Sequence, residues 1–418
     1  MTTTGRTRSE RVRLLLILGL LTALGPFSID MYLPAFPDIA KGLHTTVSQV
    51  MLSLSSFLLG ISVGQLLYGP LLERYGRKKP LYVGLALYVL ASVGCAMAGS
   101  VHALILFRLL QALGGCVGMV ASRAVVRDLF AVEENAKVFS TLMLVVAVSP
   151  IIAPTLGGYV TAALGWRYVF GILLVVAALI LAGVLFLLPE SREPNPDHSL
   201  HIGSVLRNYW SILVQPQFYT YALTGAVAYA GLSAYVSGSP EVFMGGFGIT
   251  ERQFGWVFAI IAVGIISASQ LNSYVLGRSS SERIIRVALL CQNAVGMLLV
   301  VLALTGLENL YATIALIFLF LSCQGFTFPN ASALSMASFG HQAGTASALM
   351  GAVQMGIGAG TSVLVSMLAN GTLLPMAGVM ASCSIAASIV YWLGRKAIGR
   401  KASGEALVTE EVDMITKF

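Results

Sequence analysis

Long apolar runs separated by short polar stretches organise the chain. Runs of the ~20 residues that a helix needs to cross a bilayer lie near 14–36, 46–70, 80–99, 103–123, 137–162, 167–188, 217–240, 253–276, 284–305, 309–331, 343–368 and 373–394. They are too long for barrel strands and lack strict alternation, so the pattern predicts helices. The expected fold is all-α and integral to the membrane, with 12 transmembrane helices. One long polar interruption, 189–216, carries Pro194, Pro196, Asp197, His198, His201 and Arg207 and reads as a cytoplasmic linker. It separates two six-helix halves, 14–188 and 217–394, of 175 and 178 residues. Near-equal halves, with a faint echo between Gln65-Leu66-Leu67-Tyr68-Gly69 and Gln270-Leu271-Asn272-Ser273-Tyr274, point to a transporter built from repeats. Residues 1–13 form a cytoplasmic N-terminus, and the tail 395–418 is expected to be disordered or a short surface helix.

Composition strengthens this picture. Of 418 residues, 57% are apolar and only 10% charged, against about 25% charged in a soluble domain. An ordinary soluble enzyme, a disordered chain and a disulfide-stapled module are thereby excluded. The net charge of +7 sits in loops, which points to topology rather than to nucleic acid. With both termini in the cytoplasm, 21 Lys and Arg fall on that side, and only Lys41, Arg167 and Arg252 fall on the other. The run that follows Arg6, Arg8, Arg11 and Arg13 is longer than a signal-peptide core, so it reads as the first span. Cys95, Cys116, Cys291, Cys323 and Cys383 all lie in apolar runs and are expected as small buried hydrophobes. His44, His102, His198, His201 and His341 map to loops or span ends, and no HExxH, GxSxG or phosphate-loop pattern occurs. No enzyme activity, cofactor or metal site is therefore expected, and no channel filter is visible.

Charged residues inside apolar runs are costly and mark function by default. Asp30 in the first run and Arg108 in the fourth are the two that stand out. Each lies about 6 residues, roughly 9 Å, from the same outer surface. If their helices face one cavity, they could pair directly or through water. Two readings fit: a buried salt bridge that fixes packing, or a titratable carboxylate with a cationic partner beside a substrate cavity. In the second, desolvation and Arg108 act on the Asp30 proton in opposite senses. Tyr32, Gln65, Gln111, Tyr229, Tyr235, Gln270, Gln324, Asn330 and Gln354 mark possible cavity walls or interhelical hydrogen bonds. Glu241, after Pro240, reads as an interfacial charge. Gly60/Gly64, Gly114/Gly118 and Gly356/Gly360 are candidates for close helix packing.

Four segments carry a family resemblance. Gly69-Pro70-Leu71-Leu72-Glu73-Arg74-Tyr75-Gly76-Arg77-Lys78 resembles the loop signature of the major facilitator superfamily, with Glu73 where the acid is usually Asp. The resemblance implies that Gly69, Glu73, Arg74, Gly76, Arg77 and Lys78 latch the cytoplasmic side. Arg108-Leu109-Leu110-Gln111, with Ala112 in a usual glycine position, is similar to the signature whose Arg is associated with proton transfer. Ser149-Pro150-Ile151-Ile152-Ala153-Pro154-Thr155-Leu156-Gly157-Gly158 is similar to the antiporter signature, with Ser149 and Ala153 replacing glycines. It implies that Pro154, Gly157 and Gly158 serve gating. Ser28-Ile29-Asp30-Met31-Tyr32-Leu33-Pro34-Ala35-Phe36-Pro37 looks like the Bcr/CflA drug-resistance branch, which includes bicyclomycin and amphenicol exporters. Gly165-Trp166-Arg167 and Leu188-Pro189-Glu190 also fit that branch.

The resemblance implies an alternating-access exporter of small amphipathic drugs in a bacterial inner membrane. Asp30 and Arg108 would couple protons. Substrate would meet Asp30, Tyr32, Arg108, Gln111, Tyr229, Tyr235, Gln324, Asn330 and Gln354. The expected partners are a small-molecule substrate, protons and the lipid bilayer, without nucleic acid; the driving force is the proton gradient, and twelve spans suffice for a working monomer. The rival reading is a facilitator or proton-coupled transporter of a physiological solute.

Overall fold

A computed structural model describes residues 8–196 and 200–415. Asp197 and His198, assigned above to the linker, lie outside the described residues, as do 1–7 and 416–418. The helices are α1 (Arg8–Asp30), α2 (Phe36–Gly42), α3 (Val47–Tyr75), α4 (Lys78–Ala96), α5 (Val101–Leu129), α6 (Val132–Leu164), α7 (Trp166–Phe186), α8 (Ile202–Leu213), α9 (Pro216–Pro240), α10 (Glu251–Leu276), α11 (Ser281–Thr305), α12 (Leu310–Met336), α13 (Ala343–Leu368) and α14 (Leu374–Ile415). The chain is a multi-pass membrane protein: among the described residues, 11 helices are long and apolar enough to cross a membrane, with α1 and α2 counted as one. Helix α9, at 217–240 of the expected pattern, is not among them. It has no charged side chain, but its Ser, Thr, Tyr and Gly residues lower its hydropathy.

Helix starts follow local chemistry. Side-chain oxygens of Thr46, Ser100, Thr250, Ser280 and Asn309 accept from amides three residues on, which satisfies donors that a first turn leaves free. Gly76 and Gly165 end α3 and α6 at φ +82° and +94°, a region that penalises a side chain. Two further segments are helical. Helix α8 forms within the stretch 189–216, and α14 runs on to Ile415.

In the first half α5 packs on α3 and α4, with α7 on α4 and α6 on α1; in the second, α9 packs on α14 and α12, with α10 and α11 on α12. The halves meet along two seams, α3 with α13 and α6 with α10. Glycines permit the closest approaches: a Cβ at Gly60 would lie 2.7 Å from Ala112 Cβ, whereas one at Gly360 would meet nothing within 4 Å. The outer surface is a belt of exposed apolar side chains such as Val83, Leu90 and Leu179, as expected where lipid replaces water. The cysteines are free, but only Cys95 and Cys116 are buried, and Cys291 is exposed. A lipid-facing surface accepts a thiol as readily as a core does.

Candidate functional site

The Pro-rich segment after Ile29 breaks the first span. Met31 N still bonds to Phe27 O at 3.0 Å, but Leu33–Ala35 then forms a short 3-10 turn containing Pro34, which has no N–H to continue the ladder. Asp30 is thus the last residue of α1, and it faces a cavity of about 230 Å³ at the meeting of both halves. The walls are nearly all apolar, with Ile29, Leu58, Met119 and Pro150 from the first half and Phe258 and Ile261 from the second. Tyr229, Ser233 and Tyr235 of α9 supply the other polar groups. Asp30 is the one charged residue in this lining, and no hydrogen bond or ion pair to another described side chain satisfies it. Tyr235, stacked on Phe258 at 5.3 Å, likewise keeps a hydroxyl with no partner among the described residues.

Arg108 does not pair with Asp30. It is fully buried and turned into the first half. Its Nη2 donates to Ser28 O (2.9 Å) and its Nη1 to Gln111 Oε1 (2.7 Å). The guanidinium lies between the rings of Tyr32 (4.1 Å to centroid) and Phe57 (4.0 Å), with Phe170 farther off. Gln111 Nε2 donates to Ser92 Oγ (2.8 Å), and Tyr88 hydroxyl bonds Ser28 Oγ (2.6 Å), whose own proton goes to Leu24 O. Tyr32 hydroxyl reaches Ser53 Oγ at 3.2 Å. The cation therefore takes up a carbonyl in the last turn of α1, where a positive charge also complements the helix dipole. It holds in place the break that presents Asp30.

The remaining expected residues divide in the same way. Tyr229 and Tyr235 join Asp30 at the cavity, while Tyr32, Arg108, Gln111, Gln324, Asn330 and Gln354 are absent from its lining. Gln324 bridges the backbone of α9, donating to Ala228 O (3.3 Å) and accepting from Tyr229 N (3.1 Å). Asn330 Nδ2 donates to Asn272 Oδ1 (2.7 Å) and ties α12 to α10. Gln354 is buried in α13. Glu241 accepts from Gly371 N at 2.9 Å, and burial pushes its carboxyl above the usual range while that amide pulls it down. Phe57, Tyr88, Ser92 and Phe170 escaped sequence reasoning, because apolar-run residues of this kind give no signal until helix faces are known.

The expected gating residues fall at opposite ends of the bundle. At the end rich in basic residues, Arg77 is buried and donates from Nε to Asp128 Oδ2 (2.7 Å) and from Nη1 to Leu72 O (2.9 Å) and Glu73 Oε1 (3.2 Å). Burial works against its charge, but Asp128 and Glu73 outweigh that and hold the guanidinium above its ordinary value. Glu190 accepts from Arg77 N (2.7 Å) and Lys78 N (3.0 Å), and so caps α4. Arg192 pairs with Glu73 at 3.1 Å, and Arg74 lies beside the ring of Tyr75. Gly69 lines a second, polar cavity of about 580 Å³ at this end, bounded by both halves and α8. At the far end Gly157 and Gly158 bring α6 onto the carbonyls of Met31 and Glu251, and Gly255 sits opposite Pro154 and Thr155. Along the other seam Ser55 Oγ donates to Ser362 Oγ (2.7 Å), which donates to Ser237 Oγ (2.9 Å), and Ser366 donates to Ser48 O (2.6 Å).

Known proteins share this architecture. The Major Facilitator Superfamily profile matches residues 18–363. An uncharacterized MFS-type transporter of Bacillus subtilis is 34% identical over 95% of this chain and 99% of its own. A bicyclomycin resistance protein homolog of Haemophilus influenzae is 32% identical, covering 90% and 95%. A chloramphenicol resistance protein of Pseudomonas aeruginosa is 31% identical, covering 93% and 92%. Among solved structures, the xylose transporter XylE from E. coli, in a partially occluded inward open conformation, superposes with a TM-score of 0.74 at 14% identity, over 92% of this chain and 97% of that one. At that identity the likeness speaks for the fold alone.

Proposed function

The chain belongs to the major facilitator superfamily, and from that premise we propose that it exports small amphipathic drugs of the amphenicol or bicyclomycin kind in exchange for protons. The observation that carries the reading is Asp30, an unpartnered carboxyl in an apolar cavity between two half-bundles. An uncompensated charge there is costly. A proton relieves that cost, and so does a hydrogen-bond donor or cationic group on a ligand. Proton and substrate therefore compete for one group, which is the minimum that exchange requires. Tyr229 and Tyr235 add hydroxyls from the opposite half, so a ligand bridging them to Asp30 senses the relative position of the halves. Arg108 acts at one remove, by fixing the end of α1. No cofactor enters, since the proton gradient supplies the driving force.

Topology supports the same reading. Helix α9 is 25 residues long and uncharged, and it packs among α12, α13 and α14. Its length of roughly 37 Å exceeds the ~30 Å hydrocarbon core, and we take it as the twelfth span. Twelve spans return both termini to one side, and the excess of Lys and Arg assigns that side to the cytoplasm. The bacterial relatives point to the inner membrane, and a cavity lined by both halves of one chain supports a working monomer.

Substrate-induced proton release from purified protein in detergent tests the proposal, with chloramphenicol, bicyclomycin and a cationic dye as ligands. Release by wild type, with none from Asp30→Asn that still binds, is the expected result. Equal release by both removes Asp30 as the coupling group. Binding without release by either leaves a facilitator.

A further inference from the structure

Arg286 of α11 and Arg395 of α14 stand near each other at the basic end of the second half, but only Arg395 has an acid among the described residues. It pairs with Glu282 at 2.8 Å. Glu282 lies four residues before Arg286 on α11, the spacing at which a glutamate ordinarily neutralises a basic side chain. Here it is turned away. Its Oε2 takes Arg395, and its Oε1 accepts from Tyr221 hydroxyl at 2.8 Å. Tyr391 hydroxyl donates to Glu282 O at 2.9 Å and fastens the same turn of α11 to α14. Arg286 is left with its guanidinium 5.4 Å from the centroid of the Trp392 ring. Its Nε is shut off from water and has no hydrogen-bond partner among the described residues. A cation held in this way is costly without a counter-charge.

The surroundings identify the missing anion. Trp392 is 48% exposed, and Val287, Leu290, Ile389 and Leu393 beside it and Arg286 belong to the apolar belt. The guanidinium therefore faces the bilayer rather than a water-filled cleft. Trp392 lies roughly 27 Å along α14 from its far-end start at Leu374, which sets it at the edge of the ~30 Å hydrocarbon core. On the topology proposed above, that edge is the cytoplasmic one. Arg283, one turn nearer the end of α11, and Lys396, one turn beyond Trp392, are exposed and add cations at headgroup level. We propose that Arg286, Arg283 and the Trp392 indole hold the phosphate of an anionic phospholipid of the phosphatidylglycerol class, with its acyl chains lying along α11 and α14. The lipid then does for Arg286 what Asp128 does for Arg77 in the first half. It also joins two helices of the second half by a bond that the protein alone does not supply.

The full chain in phosphatidylcholine vesicles provides the test, with a small fraction of either brominated phosphatidylglycerol or brominated phosphatidylcholine added. The emission of Trp392 is taken as the difference between wild type and Trp392→Phe. At equal mole fraction the brominated phosphatidylglycerol is expected to quench it several-fold more strongly. Arg286→Gln is expected to abolish that preference, since one basic side chain at an anionic surface is worth about fivefold in affinity. Arg278→Gln removes an exposed cation of the same end, one that lies over the ring of Tyr274, and is expected to leave the preference unchanged. Equal quenching of wild type by the two lipids overturns the proposal without recourse to any variant, and assigns Arg286 a counter-ion from the protein. An equal loss in Arg278→Gln also overturns it, because diffuse surface charge would then be the cause. So does loss of the preference in inorganic phosphate at constant ionic strength, which would make the ligand a soluble anion.

Discussion

The two ends of the bundle are held by different chemistry. At the basic end Arg77, Asp128, Glu73, Glu190 and Arg192 form a charged network that draws in the linker. At the far end the halves touch through glycine–backbone contacts and a chain of serine hydroxyls, without an ion pair among the described residues. The network stays within the first half and the start of the linker, just as the second half's own charged cluster at the basic end, Glu282 with Arg395 and Tyr221, stays within that half. A neutral seam costs little to break and reform, because its groups need no counter-charge when parted. Charged groups paired inside one half keep their partners when the halves move, whereas a pair split between halves would have to be resolvated. The far end is thus suited to part and rejoin in small steps, and the basic-end network to hold the first half rigid as it moves.

The comparison predicts its largest effect at Arg77. Arg77→Ala leaves Asp128, only 14% exposed, with Ser191 as its remaining partner. A loss of about 3 kcal/mol is expected, in line with breaking other buried ion pairs, and is checked by the thermal unfolding midpoint in detergent. Arg77→Lys recovers only part of it, because a point charge cannot reproduce the fork to Asp128. The next largest effect belongs to the far end. Gly157→Ala drives a Cβ into Met31 O and forces α6 away from the end of α1. A cost of about 1–3 kcal/mol is typical of such overpacking, and drug efflux from vesicles should fall at least tenfold. Gly360→Ala, with open space around it, should leave both measurements unchanged.

These two ends were unequally legible in the sequence. The basic-end loop is short, so Glu73, Arg77 and Lys78 had to lie together wherever the helices went. Asp30 was legible as a charge in the wrong solvent, and it lies in the lining of the apolar cavity. That Arg108 does not pair with it was not legible. Depth along a helix is readable to a turn, but the side of the helix is not, and Arg108 turns toward Ser28, Gln111 and two aromatic rings. Gln324 and Asn330 were chosen as polar residues in apolar runs, and both satisfy helix contacts instead. Helix α8 was obscured by the prolines before it, although Val205, Tyr209 and Ile212 already had helical spacing. The all-helical, multi-pass character was legible because length alone separates a span from a loop, and 11 helices among the described residues have that length and hydropathy.

A smaller effect is expected from the serine chain. Ser362 is the middle member, receiving from Ser55 and donating to Ser237. Ser362→Ala removes both bonds, about 1 kcal/mol each, and leaves the packing almost unchanged. The expected result is a shift toward conformers parted at the far end. Distances between spin labels at positions 41 and 252, on opposite halves at that end, should show a larger long-distance population. An unchanged distribution would mean that packing at Gly157 and Gly158 alone holds this end.

The smallest effect is expected at Arg192. Its pairing with Glu73 is geometrically good, at 3.1 Å, but Arg192 is 49% exposed and Glu73 32%. Exposed pairs contribute about 0.2–1 kcal/mol, so Arg192→Ala should move the unfolding midpoint little. What remains should vanish at about 1 M salt, where the screening length falls to ~3 Å. The Arg77–Asp128 contribution, being buried, should survive the same salt. Equal salt sensitivity at the two sites would mean that the network opens to water as a whole and that Arg77 is held by the linker rather than by Asp128.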